Sequence, residues 1–104
     1  MAMLVHEIWE TVGKNGHVLP GCCLAGPDGD GFRELLHADA SNKGISAPRY
    51  VCSFEAGCHF EAMTIYYRHY GWGEYTTDIA WDREPYPDDW AQRQKSRPAD
   101  HRLT

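Results

Sequence analysis

The chain has 104 residues, of which 42% are apolar and 12% aromatic, and its formal net charge is -5 at pH 7. This length and composition are typical of one globular domain with its own core. The acidic balance and the scattered basic residues argue against nucleic acid as a partner. No apolar run approaches the ~20 residues of a membrane-spanning helix, so a membrane partner is not expected either.

The N-terminal stretch MAMLVHEIWE places an acidic residue at position 7 and lacks the basic flank and long apolar region of a secretory signal. We therefore expect a cytoplasmic location. A reducing cytosol keeps cysteines as thiols, so we expect no disulfide among the four cysteines. These are Cys22, Cys23, Cys52 and Cys58.

The first two predicted elements are strands joined by a hairpin. Residues 3–11 alternate along a short run that is rich in β-branched and aromatic side chains, which is typical of a strand. Residues 13–16, Gly-Lys-Asn-Gly, accept positive φ angles and predict a tight turn into a second strand over residues 17–24. Pro20 has no N–H for a ladder, which predicts that this strand lies at an edge or contains a bulge.

A helix and a third strand are predicted next. Residues 32–37 have apolar side chains at helical spacing after a glycine-rich loop, and Asp30 is the predicted N-cap. A polar linker is predicted over residues 39–48. Residues 49–55 alternate again and predict the third strand.

The second half of the chain predicts two further helices. Residues 58–70 carry so broad an apolar face that we expect a helix covered on more than one side, and Gly71 is its predicted left-handed cap. Residues 72–77 form a loop or a short fourth strand. Asp88 is placed to cap a short helix over residues 89–93.

The order β-β-α-β-α, followed by a short C-terminal helix, predicts an α+β fold. We expect a small antiparallel or mixed sheet of three to four strands with two helices packed on one face. The domain is predicted to span residues 1–95, and residues 96–104 are predicted to form a polar tail that frays.

No metal or cofactor site is predicted from the motifs. His59-Phe60-Glu61 matches the H-x-E half of a zinc deaminase site, but the P-C-x-x-C half is missing because no cysteine follows Cys58. The remaining cysteines and histidines lack the spacing that is typical of zinc ligands. We therefore predict no bound metal and no cofactor.

No catalytic residue is assigned either. Cys58 begins a predicted helix, where the helix dipole lowers thiol pKa values, and His59 is a possible base beside it. The phosphatase pattern of a cysteine, five residues and an arginine fails, since Thr64 occupies the arginine position. The sequence therefore leaves enzymatic activity open without favouring it.

The strongest functional signal is the aromatic density around a tryptophan flanked by two glycines. Tyrosine and tryptophan dominate binding hot spots, and loops carry function more often than the elements that they join. We therefore favour a small acidic protein-interaction module that binds a protein partner or a second copy of itself. The candidate binding residues are Tyr66, Tyr70, Trp72, Tyr75 and, as charges at the rim, Glu74 and Asp78.

Two alternatives remain open at this point. The first is a pocket for a small molecule, with or without catalysis, between the second helix and the sheet. Its candidate residues are Cys58, His59, Tyr66 and His69. The second alternative is a structural subunit whose aromatic surface serves only as a homodimer interface.

Overall fold

The computed structural model describes residues 2–96 and has the element order β-β-α-β-α-α. The strands form one antiparallel sheet in the order β2-β1-β3. The elements are β1 (Leu4–Val12), β2 (Val18–Leu24), α1 (Asp30–Lys43), β3 (Arg49–Ala56), α2 (His59–Tyr70) and α3 (Asp88–Ser96). The predicted α+β fold with a short C-terminal helix is thereby confirmed. No helix within residues 2–96 has the length and apolar character needed to cross a membrane.

The predicted hairpin joins β1 to β2. The N–H of Gly13 donates to the carbonyl of His17 at 2.8 Å, and Gly16 takes the left-handed conformation with φ 78°. Pro20 lies opposite Glu10 in the register, and β2 is an edge strand. The edge position confirms the prediction from Pro20, because an edge strand leaves one row of ladder donors unused.

The two long helices lie on opposite faces of the sheet, whereas the sequence led us to expect both on one face. Glu7 of β1 accepts a hydrogen bond from Arg33 of α1. Successive side chains of a strand point to opposite faces. Glu10 therefore lies on the other face, where the hydroxyl of Tyr70 at the end of α2 donates to it at 2.7 Å. Because the side chains of the central strand are buried on both faces of the sheet, one helix packs on each face.

Helix α1 is longer than predicted and begins differently. It runs from Asp30 to Lys43 and so takes up the first half of the predicted linker, ending at Gly44 with φ 67°. The prediction of Asp30 as N-cap was wrong, because Gly29 occupies that position. The carboxylate of Asp30 accepts from Arg33 at 2.8 Å instead.

The remaining boundaries follow the sequence closely. Strand β3 and helix α2 occupy the predicted stretches, and Gly71 caps α2 with φ 68°. Residues 72–77 form a loop and not a fourth strand. Helix α3 extends to Ser96, and the predicted polar tail falls on residues 97–104, which lie outside the described residues. The division at residue 95 therefore stays a prediction.

A buried carboxylate fastens α1 to the sheet. Glu7 is only 1% exposed, and its Oε1 accepts from Arg33 Nη1 at 2.9 Å and from Trp9 Nε1 at 3.1 Å. The same guanidinium donates to the carbonyl of Leu24 at 2.8 Å and to the carbonyl of Gly26. Because these bonds are charge-assisted and largely shielded from water, they fix the connection between β2 and α1.

Replacing Arg33 with methionine is expected to lower the free energy of unfolding by about 3–5 kcal/mol, because the substitution leaves the Glu7 carboxylate buried without its cation. Arg49→Met is the matched control. Arg49 pairs with Glu10 at 3.3 Å, but its side chain is 68% exposed, so we expect a loss below about 1 kcal/mol. Urea denaturation at pH 7 measures both values. Equal losses would contradict the structural role of the Glu7–Arg33 pair.

Candidate functional site

A cavity of about 440 Å³ lies on the face of the sheet that carries α2. The strands contribute His6 and Cys22 to its wall, and the first helical turns of α2 contribute His59 and Met63. Residues 81–90 close the opposite side. The volume falls within the roughly 300–1,000 Å³ of small-molecule sites.

The segment that closes the cavity is tied to the end of the sheet. Tyr86 forms an antiparallel bridge with Ala2, and its N–H donates to the carbonyl of Gly57 at 3.0 Å. Pro85 and Pro87 flank Tyr86 and restrict the backbone to extended conformations. An isolated bridge therefore joins this segment to the residue before β1, at the end of the sheet.

Helix α3 secures the same segment from its other end. The side-chain amide of Gln94 accepts from the N–H of Val5 at 2.9 Å and donates to the carbonyl of Val5 at 2.8 Å. It also donates to the carbonyl of Ala25 at 3.0 Å. One side chain thus completes the backbone hydrogen bonding where β2 separates from β1, and the cavity wall is fixed at both ends.

His6 is a buried histidine whose hydrogen bonds determine its tautomer. Its Nδ1 lies 3.0 Å from the carbonyl of Leu4, and since a carbonyl only accepts, Nδ1 carries the proton. Nε2 then accepts from the hydroxyl of Tyr86 at 2.9 Å. The imidazole stacks on Phe54 with ring centroids 5.2 Å apart. Burial is the main cause that lowers the pKa of His6 from 6.5 to about 4, so the ring is neutral near pH 7.

A second histidine is oriented by a buried carboxylate. Asp82 is 1% exposed, and one of its oxygens accepts from Nδ1 of His59. The other oxygen accepts from the hydroxyl of Tyr75 at 3.1 Å. With Nδ1 bonded to the carboxylate, Nε2 is the ring nitrogen that His59 can present to the cavity. A histidine held in this way is typical of binding sites and of general-base catalysis.

Aromatic rings and one carboxylate supply the rest of the wall. Trp81 is 60% exposed and lies with its ring centroid 6.1 Å from His59. Tyr86 and Trp90 stack with centroids 5.7 Å apart. Glu84, between these aromatic residues in the chain, also lines the cavity. The site is therefore mainly aromatic, with few polar groups.

Of the residues predicted for a small-molecule pocket, His59 alone lines this cavity. The Sγ of Cys58 accepts from the N–H of Glu61 at 3.4 Å, so this side chain caps α2. Tyr66 is buried, and burial is the main cause that raises its pKa to about 12. His69 is exposed near the far end of α2, edge-on to Tyr70 at 4.7 Å. The predicted set is thus spread along the whole helix.

Three of the predicted aromatic residues, Tyr66, Tyr70 and Trp72, form a separate group together with Tyr67, which we call the Trp72 cluster. Trp72 is 49% exposed and stacks on Tyr70 with centroids 4.9 Å apart. Tyr66 and Tyr67 meet the indole edge-on at 5.3 and 5.5 Å. The cluster therefore surrounds one half-exposed indole with three tyrosine rings.

The other three predicted residues divide between surface and site. Glu74 and Asp78 are exposed in the loop after α2, as rim charges would be. Tyr75 turns inward, where its ring meets Phe60 edge-on at 5.6 Å and its hydroxyl reaches Asp82. Its contacts assign Tyr75 to the support of His59 more than to the surface.

Comparison with known proteins leaves the assignment open. No protein-family model, curated protein or solved structure matches this chain. Within residues 2–96 no group of three or more histidine, cysteine, aspartate or glutamate residues could hold a metal ion. The function is therefore inferred from the shape and chemistry of the cavity.

Sequence reasoning missed His6, Glu84 and Tyr86 as site residues. One signal was available for His6, since a histidine between Leu4 and Ile8 on a buried strand face must find a polar partner inside the protein. The Pro-Tyr-Pro run also indicated an extended segment. No local pattern identified the strand on which that segment would lie.

The depressed pKa of His6 predicts an acid-sensitive fold. Above about pH 6.5 the residue is neutral in both the folded and the unfolded chain, and stability is complete. As the pH falls toward 4, only the unfolded chain gains the proton, so roughly 3 kcal/mol of unfolding free energy is lost. Urea denaturation at a series of pH values measures this loss.

His6→Phe removes the titrating group and is expected to flatten that part of the pH profile. His17→Phe, at an exposed position of the hairpin, is the control and should retain the wild-type slope. An NMR titration of the His6 ring should give a midpoint of about 4. A midpoint near 6.5, or an unchanged slope in His6→Phe, would contradict this account.

Proposed function

We propose that this protein binds a small organic molecule in the cavity between α2 and residues 81–90, which we call the C-terminal segment. The observation that carries the proposal is a cavity of about 440 Å³ whose wall combines aromatic rings with His59, Glu84 and Tyr86. Small-molecule sites combine a mainly apolar wall with a few polar groups that set the orientation of the ligand. A cytoplasmic location is part of the same proposal.

The rigidity of the wall supports binding. Tyr86 is held through both its backbone and its hydroxyl, and His59 is held by Asp82. A preformed site avoids much of the entropy that ordering of side chains would cost on binding. The cavity therefore has the preorganisation that a specific ligand site requires.

Binding is favoured over cysteine catalysis at this site. The thiol of Cys22, at the cavity wall, has a pKa that burial raises to about 12. The thiol of Cys23 accepts from Arg33 on the opposite face of the sheet, and burial is the main cause that raises its pKa to about 11. A thiol acts as a nucleophile through its thiolate, which such pKa values suppress near neutral pH. His59 and Asp82 therefore orient a ligand in this proposal and do not activate a cysteine.

The proposal predicts that replacing Trp81 with alanine weakens ligand binding strongly and that replacing Trp72 does not. A library of small aromatic compounds is screened by saturation-transfer NMR against the wild type, Trp81→Ala and Trp72→Ala. Trp81 lines the cavity and Trp72 does not, although both indoles are about half exposed. We expect hits with the wild type and Trp72→Ala that weaken about tenfold or more in Trp81→Ala. Absence of hits, or hits that persist in Trp81→Ala, would contradict the proposal.

A second candidate function is protein interaction through the Trp72 cluster. It is favoured by one observation: an indole that is 49% exposed is held rigidly by three tyrosine rings. Aromatic side chains that are ordered before binding lose little entropy and are typical of interface hot spots. The partner in this candidate is another protein or a second copy of the chain, with Glu74 and Asp78 at the rim.

This candidate predicts that Trp72→Ala reduces association with a protein while Trp81→Ala leaves it unchanged. Light scattering across a dilution series detects self-association, and affinity capture from the host lysate with quantitative mass spectrometry detects other partners. Tyr75 is left unchanged in this test, because its hydroxyl donates to Asp82 at the cavity. A constant monomer mass together with no protein lost on Trp72→Ala would exclude this function.

A further inference from the structure

We propose that the ligand of the cavity is an organic cation, an amine or ammonium group attached to an apolar body. This inference deepens the proposed small-molecule function and rests on it. It follows from three features of the wall: the direction of its hydrogen bonds, its formal charge and its aromatic rings.

The hydrogen-bonding groups of the wall are set as acceptors. The hydroxyl proton of Tyr86 is donated to Nε2 of His6, because Nδ1 of that ring already donates to the carbonyl of Leu4. The Nδ1 proton of His59 is likewise donated to Asp82. Tyr86 can therefore present an oxygen lone pair to a ligand, and the neutral form of His59 can present a nitrogen lone pair. A ligand that satisfies them must donate hydrogen bonds.

The formal charge at the wall is negative. Glu84 has no ion-pair partner among residues 2–96, and no lysine or arginine in this range lines the cavity. The nearby Arg83 lies over the ring of Phe60 at 4.0 Å. The guanidinium of Arg93 pairs with Asp28 at 3.1 Å and with Asp89 at 2.9 Å. A carboxylate without an ion-pair partner, in a wall without lysine or arginine, attracts a cation and repels an anion.

The aromatic rings of the wall also favour a positively charged ligand. Trp81, Tyr86 and Trp90 are all part of the wall, beside Glu84 in the chain. The face of an indole or phenol ring carries negative electrostatic potential and attracts ammonium groups, and tryptophan is the strongest of these partners. Ammonium-binding sites combine such rings with a carboxylate or a lone pair, and both are present here.

The test compares three probes of similar size and different charge by NMR titration of the wild-type protein: benzylamine, benzyl alcohol and benzoate. At pH 7 the amine is a cation and the benzoate an anion. We expect benzylamine to bind about tenfold more tightly than benzyl alcohol, and benzoate to bind most weakly. Equal or tighter binding of the alcohol or of benzoate would overturn the inference.

Glu84→Gln removes the charge and retains the shape of the side chain. It is expected to weaken benzylamine about fivefold while leaving benzyl alcohol unchanged. Glu74→Gln is the control, since Glu74 is an exposed glutamate that does not line the cavity. An equal effect of the two substitutions would also overturn the inference.

The outcomes separate the two levels of the proposal. If benzyl alcohol binds in the cavity as tightly as benzylamine, the preference for a cation is wrong while the small-molecule function stands. If none of the three probes changes the NMR signals of the residues that line the cavity, the cation inference is wrong. The aromatic-compound screen with Trp81→Ala then decides the small-molecule function independently.

Discussion

The central strand is buried on both faces and still carries polar side chains, and this constraint organises the molecule. A buried polar group without a partner costs a few kcal/mol, so each must be satisfied from a neighbouring element. The carboxylate of Glu7 accepts a hydrogen bond from Arg33 of α1, and that of Glu10 accepts one from Tyr70 at the end of α2. The imidazole of His6 accepts one from Tyr86 of the C-terminal segment. The backbone of Val5 is completed by α3 through Gln94. Each hydrogen-bond requirement of β1 therefore fixes one surrounding element in place.

The chemistry of the cavity is a consequence of the same requirement. Because Nδ1 of His6 donates to the carbonyl of Leu4, Tyr86 donates its hydroxyl proton to Nε2, which leaves the Tyr86 oxygen as an acceptor at the cavity wall. The buried carboxylate of Asp82 accepts from Nδ1 of His59 and from the hydroxyl of Tyr75, and it thereby orients the His59 ring. The hydrogen bonds that pair the buried polar groups of the core therefore also determine which polar atoms the wall presents. Glu84 then adds a charge, and the aromatic rings add area and negative potential.

Local patterns predicted the elements whose signals are contained in a few residues. The alternation of the strands, the turn at residues 13–16 and the cap at Gly71 were of this kind. The second half of α1 was missed because it is mostly exposed and polar, so its sequence has no apolar period. The faces covered by the helices, and the site itself, depend on distant pairs. His59 and Asp82 are 23 positions apart, and His6 and Tyr86 are 80 apart.

The most direct test of the ligand site uses the four tryptophans as reporters. Each indole N–H gives its own signal in a ¹H–¹⁵N correlation spectrum, and the four lie in different places: Trp9 in the core, Trp72 in its cluster, and Trp81 and Trp90 at the cavity. Titration with benzylamine is expected to shift the signals of Trp81 and Trp90 and to leave those of Trp9 and Trp72 in place. A shift confined to Trp72, or no shift at Trp81 and Trp90, would contradict the account.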